Sequence, residues 1–127
     1  MKRFYFSILS LLLLCLCSCN FNADDSKGSL VINNESTNEN VSITAVYVKE
    51  KDSSGYQLVW SGKLNSNSSE FIKLDEGSYS VKIATTNSLY DLLSSTSYYE
   101  TGYNIYEELA AEGFVTVVFD GSGIYFD

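Results

Sequence analysis

The sequence predicts a mainly β fold: a single antiparallel β-sandwich of about seven to eight strands with at most one or two short helical turns. Three observations predict it. Short apolar runs alternate with polar residues along most of the chain, as half-buried strands do. Clusters of Asn, Ser, Asp and Gly separate these runs at short intervals. No helical period is sustained, and the 127 residues contain no proline. Many short strands joined by turns pack most simply as two facing sheets.

The elements follow in order. Leu30-Val31-Ile32 is a short apolar run that stops at Asn33-Asn34, and residues 34–40 read as a polar loop. Val41, Ile43, Ala45 and Tyr47 alternate with Ser42 and Thr44, a half-buried strand. Val46 and Val48 break the alternation, so its far end is expected to be covered on both faces. Lys51 to Gly55 is a turn, and Tyr56 to Trp60 a third strand. Asn65 to Ser69 is a turn and Glu70 to Leu74 a fourth strand. Asp75-Glu76-Gly77 is a tight turn, and Tyr79, Val81 and Ile83 mark a fifth strand with Ser80 and Lys82 facing out.

The pattern then breaks. Ser88-Leu89-Tyr90-Asp91 has the capping-box form, Ser with an acid three residues on, followed by Leu92-Leu93. It predicts one or two helical turns or an irregular loop. Residues 98–106 are Tyr-rich and predict a strand. Asn104 to Glu112 also fits a short helix, with Asn104 as cap and Gly113 as stop, so a strand followed by a helical turn is expected. Phe114 to Phe119 is a clear strand, Asp120-Gly121-Ser122-Gly123 a hairpin turn, and Ile124-Tyr125-Phe126 a last short strand. The expected core is Val41, Ile43, Trp60, Tyr79, Val81, Ile83, Val115, Val117 and Phe119.

The N-terminus carries a different signal. Met1-Lys2-Arg3 is basic, an apolar run follows, and the run closes on Leu16-Cys17-Ser18-Cys19. A short basic region, a short apolar region and small residues before a cleavage point form a secretory signal. The rival is a membrane-spanning anchor, but Phe4 to Cys19 falls short of the roughly 20 apolar residues a span needs and is interrupted by Ser7, Ser10 and Ser18. Ordinary secretion after cleavage is a third option. The last four residues resemble the lipobox of bacterial lipoproteins, in which the cysteine is lipidated and becomes the first residue of the mature chain. The resemblance implies lipid on Cys19 and attachment at the bacterial cell envelope. Asn20, where Asp is absent, implies the outer membrane. Cys15 and Cys17 are the other candidates, and small Ser18 with Leu16 three before favours Cys19.

On this reading residues 1–18 are signal peptide, 19–27 a polar tether and 28–127 the sandwich domain. Loss of residues 1–18 leaves 109 residues, enough for one apolar core. It also removes Lys2 and Arg3, so the formal charge goes from −8 to −10. Nucleic acid is thereby disfavoured, since its binding needs a Lys/Arg surface. Electrostatic attraction to anionic lipid is disfavoured too, leaving the acyl chains to anchor the protein. All three cysteines lie at or before Cys19, so the mature domain must be stable without disulfides.

Gly28 to Ile83 resembles bacterial β-sandwich modules of the C2-like or Ig-like kind. The residues that carry this are Ile32-Asn33-Asn34, Ile43-Thr44-Ala45-Val46-Tyr47-Val48, Trp60-Ser61-Gly62 and Gly77-Ser78-Tyr79-Ser80-Val81. These motifs are structural and bring no catalytic or ligand residues with them.

The chain has no histidine, which removes the commonest general base and metal ligand. No cysteine remains for catalysis or zinc, and no glycine-rich phosphate loop opens a helix. Asp24-Asp25, Asp75-Glu76 and Glu107-Glu108 read as solvated surface acids, because sequence neighbours on a strand face opposite ways. No catalytic residues, metal ligands or cofactors are expected. The alternatives kept open are a Ca²⁺-dependent C2-like module using loop acids such as Asp120, and a small envelope enzyme with a Ser/Lys pair. The better functional signal is aromatic: Tyr90, Tyr98, Tyr99, Tyr103 and Tyr106 crowd into seventeen residues. Tyrosine offers a large apolar face with a polar tip, which suits contact with an envelope protein or glycan. The competing expectation is that these rings simply pack as strand residues. The function expected is therefore a lipid-anchored, non-catalytic binding or structural module of the envelope.

Overall fold

β1 (Lys27–Asn34) starts at the last residue assigned to the tether, because Lys27 already pairs with Asp75 across the sheet. The structure, a computed structural model, describes residues 27–90, 93–102 and 104–127, without the side chains of 89–94. The expected signal peptide, Cys19 and the expected tether up to residue 26 lie outside the described residues.

The described chain forms two facing sheets and no helix. Beyond β1 the strands are β2 (Val41–Glu50), β3 (Gln57–Leu64), β4 (Ser68–Asp75), β5 (Gly77–Tyr90), β6 (Leu93–Glu100), β7 (Glu107–Leu109), β8 (Phe114–Phe119) and β9 (Ile124–Phe126). The first sheet runs β4-β1-β8-β9. The second runs β3-β2-β5-β6, and β7 also pairs with β5. The sandwich read from the sequence is what forms, with one pairing that departs from an all-antiparallel arrangement. β1 and β8 run parallel, Ser29 opposite Phe114 through Asn34 opposite Phe119.

Leu30, Ile32, Ile43, Val46, Val48, Tyr79, Val81, Ile83, Leu109, Val115, Val117 and Phe119 interlock between the sheets. Of the expected core, Val41 and Trp60 are half-buried and pack against its border. β2 departs from its expected alternation. Its pairing with both neighbours shifts register between Ile43 and Ala45, a bulge centred on Thr44. A bulge adds one residue and turns every later side chain to the opposite face. Val46 and Val48 therefore point into the core, and Tyr47 stands on the outer face.

Two helical expectations give way to strand. Ser88 and Tyr90 belong to β5, which pairs back with β6 at Tyr90 opposite Leu93; Asp91 and Leu92 lie outside the described residues. Ser88 does not cap a helix: its N–H and its hydroxyl both donate to the Asn40 carbonyl, at 3.0 and 3.4 Å. The Tyr-rich strand ends at Glu100 instead of residue 106. Gly102, with φ +128°, and Asn104, with φ 63°, turn the chain there. In place of a helix over 104–112, β7 completes the edge of β5 along Gly77–Tyr79. This sets Leu109, 1% exposed, into the core. Burial of one leucine and pairing of an open sheet edge outweigh a weak local helical preference.

Candidate binding face

The bulge in β2 determines what the outer face of the second sheet presents. Tyr47 lies opposite Lys82 of β5 and Leu58 of β3. Lys82 lies opposite Glu100 of β6, and Tyr98 is opposite the neighbouring Ala84. Alternation along β5 sends Tyr79, Val81 and Ile83 inward and Ser80, Lys82 and Ala84 outward. This is the orientation read from the sequence for Ser80 and Lys82.

Three tyrosine rings converge on the Lys82 ammonium. Its Nζ lies 4.8 Å from the centroid of Tyr56, 5.0 Å from Tyr47 and 5.7 Å from Tyr98. The rings come from β2, from the residue before β3 and from β6. The lysine stem lies along the sheet while its head meets negative ring faces. The Lys82 ammonium makes no hydrogen bond or ion pair with any described residue. It meets the three π faces, and its ammonium N–H donors stay available.

A chain of hydroxyls holds Tyr56 in place. Val81 N–H donates to Thr101 Oγ1 at 3.1 Å; Thr101 Oγ1 and Ser80 Oγ are 3.1 Å apart, and Ser80 Oγ and the Tyr56 hydroxyl 3.2 Å. Ser80 is buried, so this chain is shielded from competing water. It ties Tyr56 across β2 to the central strand and so fixes the ring beside Lys82. Next to it is a cleft of about 210 Å³ lined by Lys49, Tyr56, Ser80, Glu100, Asn104 and Tyr106. Lys49 Nζ donates to the Tyr106 hydroxyl at 3.1 Å, with the Tyr106 ring 5.7 Å away.

The tyrosines singled out in the sequence separate. Tyr98 is 61% exposed and belongs to the cluster. Tyr99, its neighbour, faces inward and packs on Phe119, centroids 5.1 Å apart. Tyr106 is half-buried on the cleft wall. Tyr90 ends β5 and its side chain is outside the described residues, as is Tyr103 altogether. Sequence reasoning missed Tyr47, Tyr56 and Lys49. Alternation alone puts Tyr47 in the row of Val41 and Ile43, because the bulge is silent in the apolar pattern, and Tyr56 lies 42 residues from Tyr98.

Other surfaces differ in kind. A cleft of about 580 Å³ opens between the 51–56 turn and Asp75, walled by Glu50, Asp75 and Tyr79. The Tyr79 hydroxyl there donates to the Asp75 carbonyl at 2.7 Å. Burial, with Glu50 and Asp75 nearby, pushes its ionisation above the ordinary tyrosine value. A cleft of about 360 Å³ at the opposite end includes Asp120, whose Oδ1 accepts from Ser122 N–H, Ser122 Oγ–H and Gly123 N–H. Among the described residues no three acidic, Cys or His side chains gather as a metal site would require. Ser80 bonds Tyr56 and Thr101 rather than an amine. The outer face of the first sheet exposes Phe71, Phe114 and Tyr125, with Lys73 and Thr116 on the same face. Comparison with protein families, curated proteins and solved structures finds no match.

Proposed function

We propose that this chain is a non-catalytic binding module, held at the bacterial cell envelope by lipid on Cys19, and that it engages its partner through the outer face of the second sheet. One observation carries the reading: the unpaired Lys82 ammonium stands among the rings of Tyr47, Tyr56 and Tyr98 on an exposed face. Aromatic side chains ringed by polar groups are the usual anchors of recognition surfaces. The signal-like N-terminus supports the attachment, with the outer membrane as its destination. The tether lets the domain stand off the lipid surface.

Photo-crosslinking in cells tests the reading. A benzophenone residue in place of Tyr98 should trap an envelope component, and the same residue in place of Phe114 on the opposite face should not. Absence of any adduct at 98, or equal adducts at both positions, rejects the face. The second reading, a Ca²⁺-dependent module, has no observation that favours it: the Asp120 Oδ1 is taken up by its own turn.

A further inference from the structure

We infer that the outer face of the second sheet takes an acidic carbohydrate chain, with sugar C–H faces on the tyrosine rings and a sugar carboxylate on Lys82 Nζ. This deepens the proposed function and rests on that reading of the face.

The charge distribution points to an anion. The chain carries a formal −8, yet this face holds Lys49, Lys63 and Lys82 against Glu100 and Glu108. Lys82 sits at its centre, without an acidic partner closer than the ion-pair limit. An incoming carboxylate gains a charge-assisted hydrogen bond and has no resident anion to displace. An incoming cation would first have to expel Lys82 from its rings.

The ring chemistry points to sugar. A pyranose has an apolar face of C–H groups and an edge of hydroxyls, which matches tyrosine faces set beside hydroxyl side chains. Thr44 and Thr86 supply such hydroxyls on the same face, their Oγ1 atoms 3.5 Å apart, and Thr44 Oγ1 also donates to the Ala84 carbonyl at 3.4 Å. A peptide partner of a sheet would instead pair along an edge strand. This cluster lies across the middle of the sheet, over β2 and β5. A nucleic acid is held by a continuous Lys/Arg surface, whereas this face sets three lysines against two acids. A uronic acid chain carries one carboxylate on each acidic ring and can seat one of them on Lys82 Nζ.

The test is titration calorimetry on the full-length lipidated chain in neutral detergent micelles. The probes are hexamers of galacturonate, mannuronate and hyaluronan, with the methyl ester of the galacturonate hexamer as the neutral control. At least one acidic hexamer should bind, more weakly as salt rises. If galacturonate is the ligand, its ester should bind at least about tenfold more weakly, since the esterified carboxyl can no longer pair with Lys82. Lys82→Met should cost roughly tenfold in affinity with the melting temperature unchanged, and Tyr98→Ala a similar factor. Should Lys82→Met prove unstable, Lys82→Arg keeps the charge and should keep binding and ester discrimination. The inference is overturned by equal binding of acid and ester, by full affinity in Lys82→Met, or by no heat from any acidic hexamer at about 5 mM. Failure of all hexamers while position 98 still crosslinks removes the carbohydrate inference and leaves the binding face standing.

Discussion

The side-chain amide of Asn34 donates to the carbonyl of Leu64 at 3.0 Å, joining β1 in one sheet to β3 in the other. The same Nδ2 reaches the Val41 carbonyl at 3.3 Å, and Oδ1 accepts from Ser36 N–H at 3.1 Å. Asn34 is 0% exposed. One polar side chain thus closes this end of the sandwich and satisfies two carbonyls and an amide that its own burial shields from water. Asn34→Leu keeps the volume but strips all three partners. A buried polar group left unpaired costs about 1–3 kcal/mol, so the variant should lose roughly 3 kcal/mol in a denaturant melt. An unchanged midpoint would show that water replaces the amide there.

Tyr98 and Tyr99 should respond in opposite ways. Tyr99 packs on Phe119 at the border of the core, so Tyr99→Ala should cost about 3 kcal/mol of stability. Tyr98 lies on the solvent side, so Tyr98→Ala should stay within about 0.5 kcal/mol. Equal losses in thermal melts would mean that the Lys82 cluster is scaffold and not contact surface.

How far the sequence reveals this arrangement depends on the distance over which each cause acts. β8 and β9 and the Asp120 turn are legible because alternation and turn chemistry are local. The end of β5 at Ser88–Tyr90 and β7 are not legible, because their local signals favour helix and the deciding partners are elsewhere. Asn40 engages Ser88, and the open edge of β5 captures Glu107 to Leu109. The candidate site is only partly legible for the same reason. Lys82 can be placed on an outer face from alternation alone, but Tyr98 and Tyr99 read alike until Tyr99 packs on Phe119. Tyr47 joins Lys82 only because Thr44 is bulged, and Tyr56 only because Ser80 and Thr101 hold it there.

The Trp60-Ser61-Gly62 motif has a steric explanation that can be tested. A Cβ on Gly62 would lie 2.9 Å from Cζ2 of the Trp60 ring, which therefore rests on the bare glycine backbone. Gly62→Ala should lift the ring from its seat and cost roughly 1 kcal/mol. Trp60 is the single tryptophan, so its emission should shift to the red in the folded variant. Trp60→Phe combined with Gly62→Ala should recover part of the loss, and additive losses would reject the contact.

The proposed attachment through Cys19 makes a clean prediction in cells. Cys19→Ala should abolish incorporation of a clickable fatty acid and prevent signal cleavage, so the product runs larger and is released or mislocalised. Labelling that survives in Cys19→Ala but fails in Cys17→Ala would move the lipid site to Cys17.

The Asp120 turn should make stability fall in acid. The backbone N–H of Ser122, then its hydroxyl, then the N–H of Gly123 hold this carboxylate below its ordinary value of 3.8. Unfolding breaks these bonds and restores the ordinary value. A group whose ionisation is depressed by folding stabilises the folded state above its unfolded value. That contribution fades as pH drops through the lower folded value. Asp120→Asn keeps an acceptor at Oδ1 and removes the charge, so charge-assisted bonds become neutral ones of about half the strength. The variant should therefore melt below the parent at neutral pH, and the gap should close as pH falls from about 4 toward 2. Direct titration of the Asp120 carboxyl by NMR should give a midpoint below 3.8. A midpoint at or above that value, or a gap that stays constant into acid, would show that the turn does not depend on the charge.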